Sequence, residues 1–209
     1  NLCWIFVDSV RRYYSPDDRK KMPFMDKFAM ESISVKNMVT CAPSTIMSLS
    51  SMMTGKRSSI VADNYNEFLG IDPSLITLNK ILKENGWDST ALLMHPEVRE
   101  KFSLVDSLQR KKWPKSYLHS EWWPNKKIFN LLKYLLNKEE YRSNLKPRFW
   151  FIDFNCRNDQ TTNDVVENTF KLFRNAGYTD KNTIWILCSD HGYPDPSKKI
   201  TIEYLKKLG

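Results

Sequence analysis

No two of the four cysteines, Cys3, Cys41, Cys156 and Cys188, stand in a Cys-x-x-Cys spacing, so neither a dithiol redox motif nor a cysteine-paired zinc ribbon is present. Two of them fall inside apolar runs that read as strands, and the expectation is free, buried thiols, a pattern that leans toward a reducing, cytoplasmic compartment but that a secreted protein also shows, so localisation stays open. No apolar run approaches the roughly 20 residues of a transmembrane helix, which leaves no membrane segment within these 209 residues. Internal repeats and low-complexity tracts are absent too, which excludes a solenoid or a linker-like chain. No nucleic-acid-binding motif accompanies the net charge of +8, so no nucleic-acid partner is expected.

What is present is the composition of one packed domain. The chain is 41% hydrophobic and 13% aromatic, and its length suits a single α/β core better than two. The positive excess is scattered, with short clusters at Arg19-Lys20-Lys21, Arg110-Lys111-Lys112 and Lys198-Lys199. Solvated lysines on helix faces explain most of it, and the remainder weakly favours an anionic substrate or polymer. The chain opens on Asn1 rather than Met, as a clipped domain does, and any signal peptide or membrane anchor would then be invisible in these residues. Nothing in the composition speaks to oligomeric state.

Strands and helices alternate along the chain. Leu2 to Asp8, Trp87 to Met94, Phe149 to Asp153 and Ile184 to Cys188 read as strands, three of them unbroken apolar runs of the kind covered on both faces of a parallel sheet. Between them, Pro23 to Met30, Ile46 to Met53, a segment opening at Asp72-Pro73-Ser74, Lys126 to Leu136 and Thr162 to Ala176 read as helices, with Gly86 and Gly177 as stops. Ile33 to Thr40 reads as extended, and Glu97 to Trp123 as a long irregular excursion. The pattern predicts an α/β fold, a mostly parallel sheet sandwiched between helices, as one domain over 1–209.

The residues that carry chemistry sit at the ends of these elements. Asp8 ends the first strand, and Asp190-His191-Gly192 follows the last; ligands of open α/β sheets bind beyond the carboxyl ends of strands. An acid beside an imidazole suits Zn²⁺ or Mn²⁺ better than Ca²⁺. The plain alternative is an Asp capping a turn beside a surface His. Thr45 stands where an extended segment turns into a helix, so its hydroxyl lies at a helix N-terminus, which stabilises an alkoxide and an incoming anion; there the plain alternative is that Ser44 or Thr45 is an N-cap.

Taken together in order, these features resemble the alkaline phosphatase superfamily, in particular its sulfatase-like branch. There the nucleophile segment has the form (Cys/Ser/Thr)-x-Pro-Ser-x-x-Ser-(Leu/Met)-x-Thr-Gly. Thr45-Ile-Met-Ser48-Leu-Ser-Ser51-Met-Met-Thr54-Gly55 matches it without a gap, with Met47 in place of the Pro. Asn85-Gly86-Trp87 and Gly177 to Thr183 resemble the segments that surround that branch's second and last strands. A competing register, Cys41-Ala-Pro-Ser44, looks like the Cys-x-Pro-Ser-Arg signature whose Cys becomes formylglycine. Spacing favours Thr45: Thr54 lies nine residues after Thr45 but 13 after Cys41, the family separation is nine, and the Arg is missing.

The resemblance implies an alkaline phosphatase-like domain that continues past Gly209 through further strands, so that the chain as given is incomplete at its C-terminus. It also implies one divalent metal ion (Zn, Mn or Ca, with Zn or Mn preferred) held by Asp8, Thr45, Asp190 and His191. The second acid that sulfatases carry beside the first is replaced by Ser9, and no two-zinc pattern follows Asp153, which points to the single-metal set of lipoteichoic acid synthases and phosphoethanolamine transferases. Thr45 would act as the catalytic nucleophile and form a covalent intermediate on a sulfate or phosphate ester. The substrate implied is an anionic small molecule or a glycan or lipid ester, with His95 and Arg157 as substrate-binding helpers and His119 as a packing or surface residue. Of a different class is the alternative that the domain keeps this fold without catalysis and binds an anionic glycan or polymer.

Overall fold

The computed structural model describes residues 1–10, 20–35, 38–42, 44–57, 74–94, 124–143, 146–155 and 159–192. Strands β1 (Leu2–Asp8), β2 (Asp88–Leu92), β3 (Arg148–Asn155) and β4 (Ile184–Cys188) form one sheet in the order β2-β3-β1-β4. Every pairing is parallel, as the unbroken apolar runs predict. Helices α1 (Pro23–Met30), α2 (Thr45–Thr54), α3 (Leu78–Glu84), α4 (Asn125–Leu136) and α5 (Asp159–Asn175) flank it.

Alternation along the strands sorts the core into two faces. Cys3, Trp150 and Trp185 share one register, and on their face the indoles of Trp150 and Trp185 meet Phe173 of α5 at 5.3 and 5.7 Å between ring centroids. The other face carries Trp4, Phe6 and Phe151, whose rings touch one another, and continues two residues past Phe6 to Asp8. Helix α4 buries Ile128, Leu131, Leu132 and Leu135, the stripe that its 3.6-residue period predicts; each contributes about 1.5–3 kcal/mol. At the opposite end of the sheet, buried Arg148 donates to Asp88 Oδ2 (3.2 Å) and to the Glu140 carbonyl (3.0 Å). Its guanidinium lies 4.5 Å from the centre of the Tyr141 ring, so one cation ties β2, β3 and the 3₁₀ turn Glu139–Tyr141 together.

Five expectations need correction or refinement. β4 was expected to be covered on both faces, but it is an edge strand: among the described residues it pairs only with β1, and Ile184 is 67% exposed. An apolar run does not distinguish a central strand from an edge that one helix layer covers. The segment expected to be extended from Ile33 to Thr40 forms no strand over its described residues, and Ile33, Val35, Met38 and Val39 stand in solvent. α3 begins at Leu78, after the N-cap Thr77, rather than at the Asp72-Pro73-Ser74 turn; Asp72 and Pro73 lie outside the described residues, as does all of Glu97 to Trp123. β3 runs on to Asn155, and Asp153, instead of ending a strand, is wholly buried within it and accepts a hydrogen bond from Met94 N at 3.1 Å. Cys3, Cys41 and Cys188 are free thiols, but Cys41 is exposed rather than buried. Among the described residues no helix is long and apolar enough to cross a membrane.

Burial has a measurable consequence at Tyr178. Its hydroxyl donates to the Tyr141 carbonyl at 2.7 Å, and desolvation pushes its pKa from 10.0 up to about 12. The folded state therefore favours the protonated phenol. That contribution is complete below pH 10 and is lost as pH rises toward 12. Tyr178→Phe should cost roughly 1 kcal/mol at neutral pH and should flatten the alkaline fall in stability. Urea unfolding from pH 8 to 12 measures both, and an equally steep fall in the two proteins would contradict the assignment.

Candidate metal centre

The site follows from strand register. β1 and β4 run in parallel, with Phe6 opposite Cys188 as their last pair. Asp8 and Asp190 each lie two residues beyond it, so the pairing carries both acids to one level and one face at the carboxyl edge of the sheet. Burial holds them there: Asp8 is 7% and Asp190 2% exposed. His191 follows directly, and one oxygen each from Asp8 and Asp190 and a ring nitrogen of His191 lie within 4.8 Å of one another. His191 Nε2 is 3.5 Å from both Asp8 Oδ1 and Asp190 Oδ2.

Thr45 completes the group from the other side. It is the first residue of α2, its side chain is buried, and its Oγ1 is 3.2 Å from His191 Nε2. Ser44 occupies the N-cap position, but no side chain caps the helix; the Thr45 hydroxyl faces the imidazole instead of the helix N–H groups. The structure thus brings Asp8, Thr45, Asp190 and His191 together. His95 and Arg157 lie outside the described residues, as does His119.

The imidazole orientation is set by its second nitrogen. Nδ1 lies 3.1 Å from the Gly192 carbonyl, an acceptor only, so Nδ1 donates there and Nε2 is the nitrogen that faces the acids and Thr45. Asp190 Oδ1 accepts from the backbone N–H of His191 (2.8 Å) and of Ser9 (3.2 Å). Asp190 Oδ2 is buried with no hydrogen-bond partner. A buried carboxylate oxygen without a hydrogen bond, close to a second carboxylate, is costly unless a cation lies beside it. Two carboxylates, an imidazole and a hydroxyl are an oxygen and nitrogen donor set that fits a divalent ion such as Zn²⁺ or, with further oxygen ligands, Mn²⁺.

Residues not singled out as functional in the sequence hold this geometry. Thr40 Oγ1 donates to the Asp190 carbonyl at 2.6 Å and stands 3.0 Å from Ser48 Oγ, which donates to the Ala42 carbonyl at 2.9 Å. This network ties the segment before α2 to the Asp190 loop and so sets the distance from Thr45 to His191. Ser189 Oγ accepts from Val10 N (3.1 Å) and donates to the His191 carbonyl (2.7 Å). Ser48 was legible as the Ser of the nucleophile segment, and Ser9 as the residue in place of an acid; Thr40 and Ser189 carry no sequence signal.

No family model and no curated protein matches this chain. Among solved structures it is similar to a sulfatase of Bacteroides thetaiotaomicron, described with that organism's metabolism of multiple glycosaminoglycans. The TM-score is 0.66 at 15% sequence identity, over 92% of this chain and 61% of that one. The likeness shows a sulfatase-like fold, and this chain spans about 61% of that neighbour's length.

The bare, buried acid pair predicts a specific response. Asp190→Asn keeps an acceptor for Ser9 and His191 and offers an amide to Asp8, while removing one of two like charges within 4.8 Å of the imidazole. In chelator it should be more stable than the parent by roughly 1–3 kcal/mol, and unlike the parent it should gain no stability from added Zn²⁺ or Mn²⁺. Denaturant titration with and without metal checks both; a variant that is less stable in chelator would contradict the reading of Asp190 as a ligand.

Proposed function

We propose that this chain carries the catalytic centre of a metal-dependent hydrolase or transferase acting on sulfate or phosphate esters, with Thr45 as nucleophile. The observation that carries the reading is the Thr45 hydroxyl at the start of α2, 3.2 Å from His191 Nε2 and beside a buried Asp8–Asp190 pair. Asp8, Asp190, His191 and Thr45 would hold one divalent ion, Zn²⁺ or Mn²⁺ in preference to Ca²⁺. When bound, that ion supplies Lewis-acid stabilisation of negative charge on Thr45 Oγ1 and on an ester oxygen. Thr45 is held by the first turn of α2, whose unpaired N–H groups and dipole favour the same negative charge and the incoming anion. Attack by Oγ1 forms a covalent ester on Thr45 and releases the substrate alcohol; water or an acceptor hydroxyl then releases the group and regenerates the Thr45 hydroxyl. His191 Nδ1–H on the Gly192 carbonyl keeps the ring in the orientation that both steps require.

The sulfatase-like fold supports sulfate esters, and the neighbour's association with glycosaminoglycan metabolism supports an anionic glycan among the candidate substrates. The net positive charge of the chain agrees with an anionic partner. Cys41 is exposed and precedes the N-cap, which favours Thr45 over a formylglycine at Cys41. With Zn²⁺ or Mn²⁺ present, the protein should turn over aryl sulfate or aryl phosphate esters, and Thr45→Ala should lower kcat by a factor of at least about 10³. Mass spectrometry of the quenched enzyme should place the transferred group on Thr45. Unchanged turnover by Thr45→Ala, or an aldehyde at residue 41, would overturn this reading.

A further inference from the structure

Ser9 is the only non-glycine residue among those described with a positive φ, at 64°. A side chain in this left-handed region is strained, and serine has no special tolerance for it. The strain coincides with two contacts. The Ser9 backbone N–H donates to Asp190 Oδ1 at 3.2 Å, and the Ser9 hydroxyl donates to Asp8 Oδ1 at 2.6 Å. One residue, bent out of the strand directions at the end of β1, thus grips both carboxylates.

We propose that Ser9 is the positioning residue of the metal centre, its strained backbone being retained because only that conformation aims its N–H at Asp190 and its hydroxyl at Asp8 together. An extended Ser9 would continue β1 and carry the N–H away from Asp190. The hydroxyl fixes the carboxylate of Asp8 with Oδ1 toward His191 Nε2, which stands 3.5 Å away; the N–H leaves Asp190 Oδ2 as the bare oxygen on the same side. Outer partners that orient ligands in this way typically carry a 10- to 100-fold share of metal affinity. Being neutral, Ser9 also keeps the centre at two carboxylates and one imidazole, the donor balance of Zn²⁺ or Mn²⁺ rather than of an all-oxygen Ca²⁺ site. The inference rests on the metal-dependent reading given under Proposed function.

The test separates strain from ligand orientation. Ser9→Gly releases the strain and keeps the N–H but removes the hydroxyl, whereas Ser9→Ala removes the hydroxyl and keeps the strain. Zn²⁺ and Mn²⁺ affinities are measured by competition with a chromogenic chelator, and stability by urea unfolding in EDTA. Ser9→Gly should unfold at the same or a higher urea concentration than the parent and yet bind metal about 10- to 100-fold more weakly; Ser9→Ala should show the same loss of affinity with lower stability than Ser9→Gly. Parent-like metal affinity in both variants overturns the positioning role alone. Loss of stability by Ser9→Gly in EDTA also overturns it, since a merely structural serine behaves that way. A parent protein that takes up neither metal overturns this inference together with the metal-dependent function, a result distinct from the other two.

Discussion

Two buried carboxylates are forced together by the parallel pairing of β1 with β4, and the rest of the site is arranged around that constraint. Asp8 and Asp190 are brought to one level because Phe6 and Cys188 are partners, and both are largely buried. Like charges at this separation repel by several kcal/mol in a partly desolvated setting. The chain answers with donors aimed at them: two backbone N–H groups on Asp190 and the Ser9 hydroxyl on Asp8. These leave Asp190 Oδ2 without a hydrogen bond and His191 Nε2 3.5 Å from it, and the proposed function grows from that cluster of ligand atoms.

The second constraint is the approach of α2. The first turn of α2 faces Asp8, Asp190 and His191, and the Thr40, Ser48 and Asp190 hydrogen bonds lock that approach. Sheet edge and helix start are separate elements of the fold, joined by these short polar links and by Met47, Leu49 and Met53, which α2 adds to the core. A few hydroxyls therefore govern the Thr45–His191 distance, and substitutions among them should alter function more than stability.

Much of this was legible before any coordinates. The unbroken apolar runs of Leu2 to Asp8, Phe149 to Asp153 and Ile184 to Cys188 predicted parallel strands, and the spacing in Lys126 to Leu136 predicted its helix almost to the residue. The four candidate metal ligands lie at strand and helix ends, where period and punctuation are informative, and the structure gathers all four. Less legible was anything that depends on which strands neighbour which. The edge position of β4 and the interior position of Asp153 are set by sheet pairing, to which a strand's own composition is indifferent, and Ile33, Val35, Met38 and Val39 stand in solvent outside the sheet. Ser9 read in the sequence only as a missing acid; its left-handed backbone is a consequence of the two carboxylates that it must reach at once.

The central claim is that Asp8, Thr45, Asp190 and His191 form one metal centre. Anomalous diffraction from crystals grown with Zn²⁺ or Mn²⁺ tests it most directly. The account predicts a single strong peak bounded by Asp8, Asp190 Oδ2 and His191 Nε2, at about 2.0–2.2 Å from its oxygen and nitrogen ligands, with Thr45 Oγ1 as the fourth. Full occupancy at a different group of residues, or no peak between Asp8 and His191 at saturating metal, would contradict it.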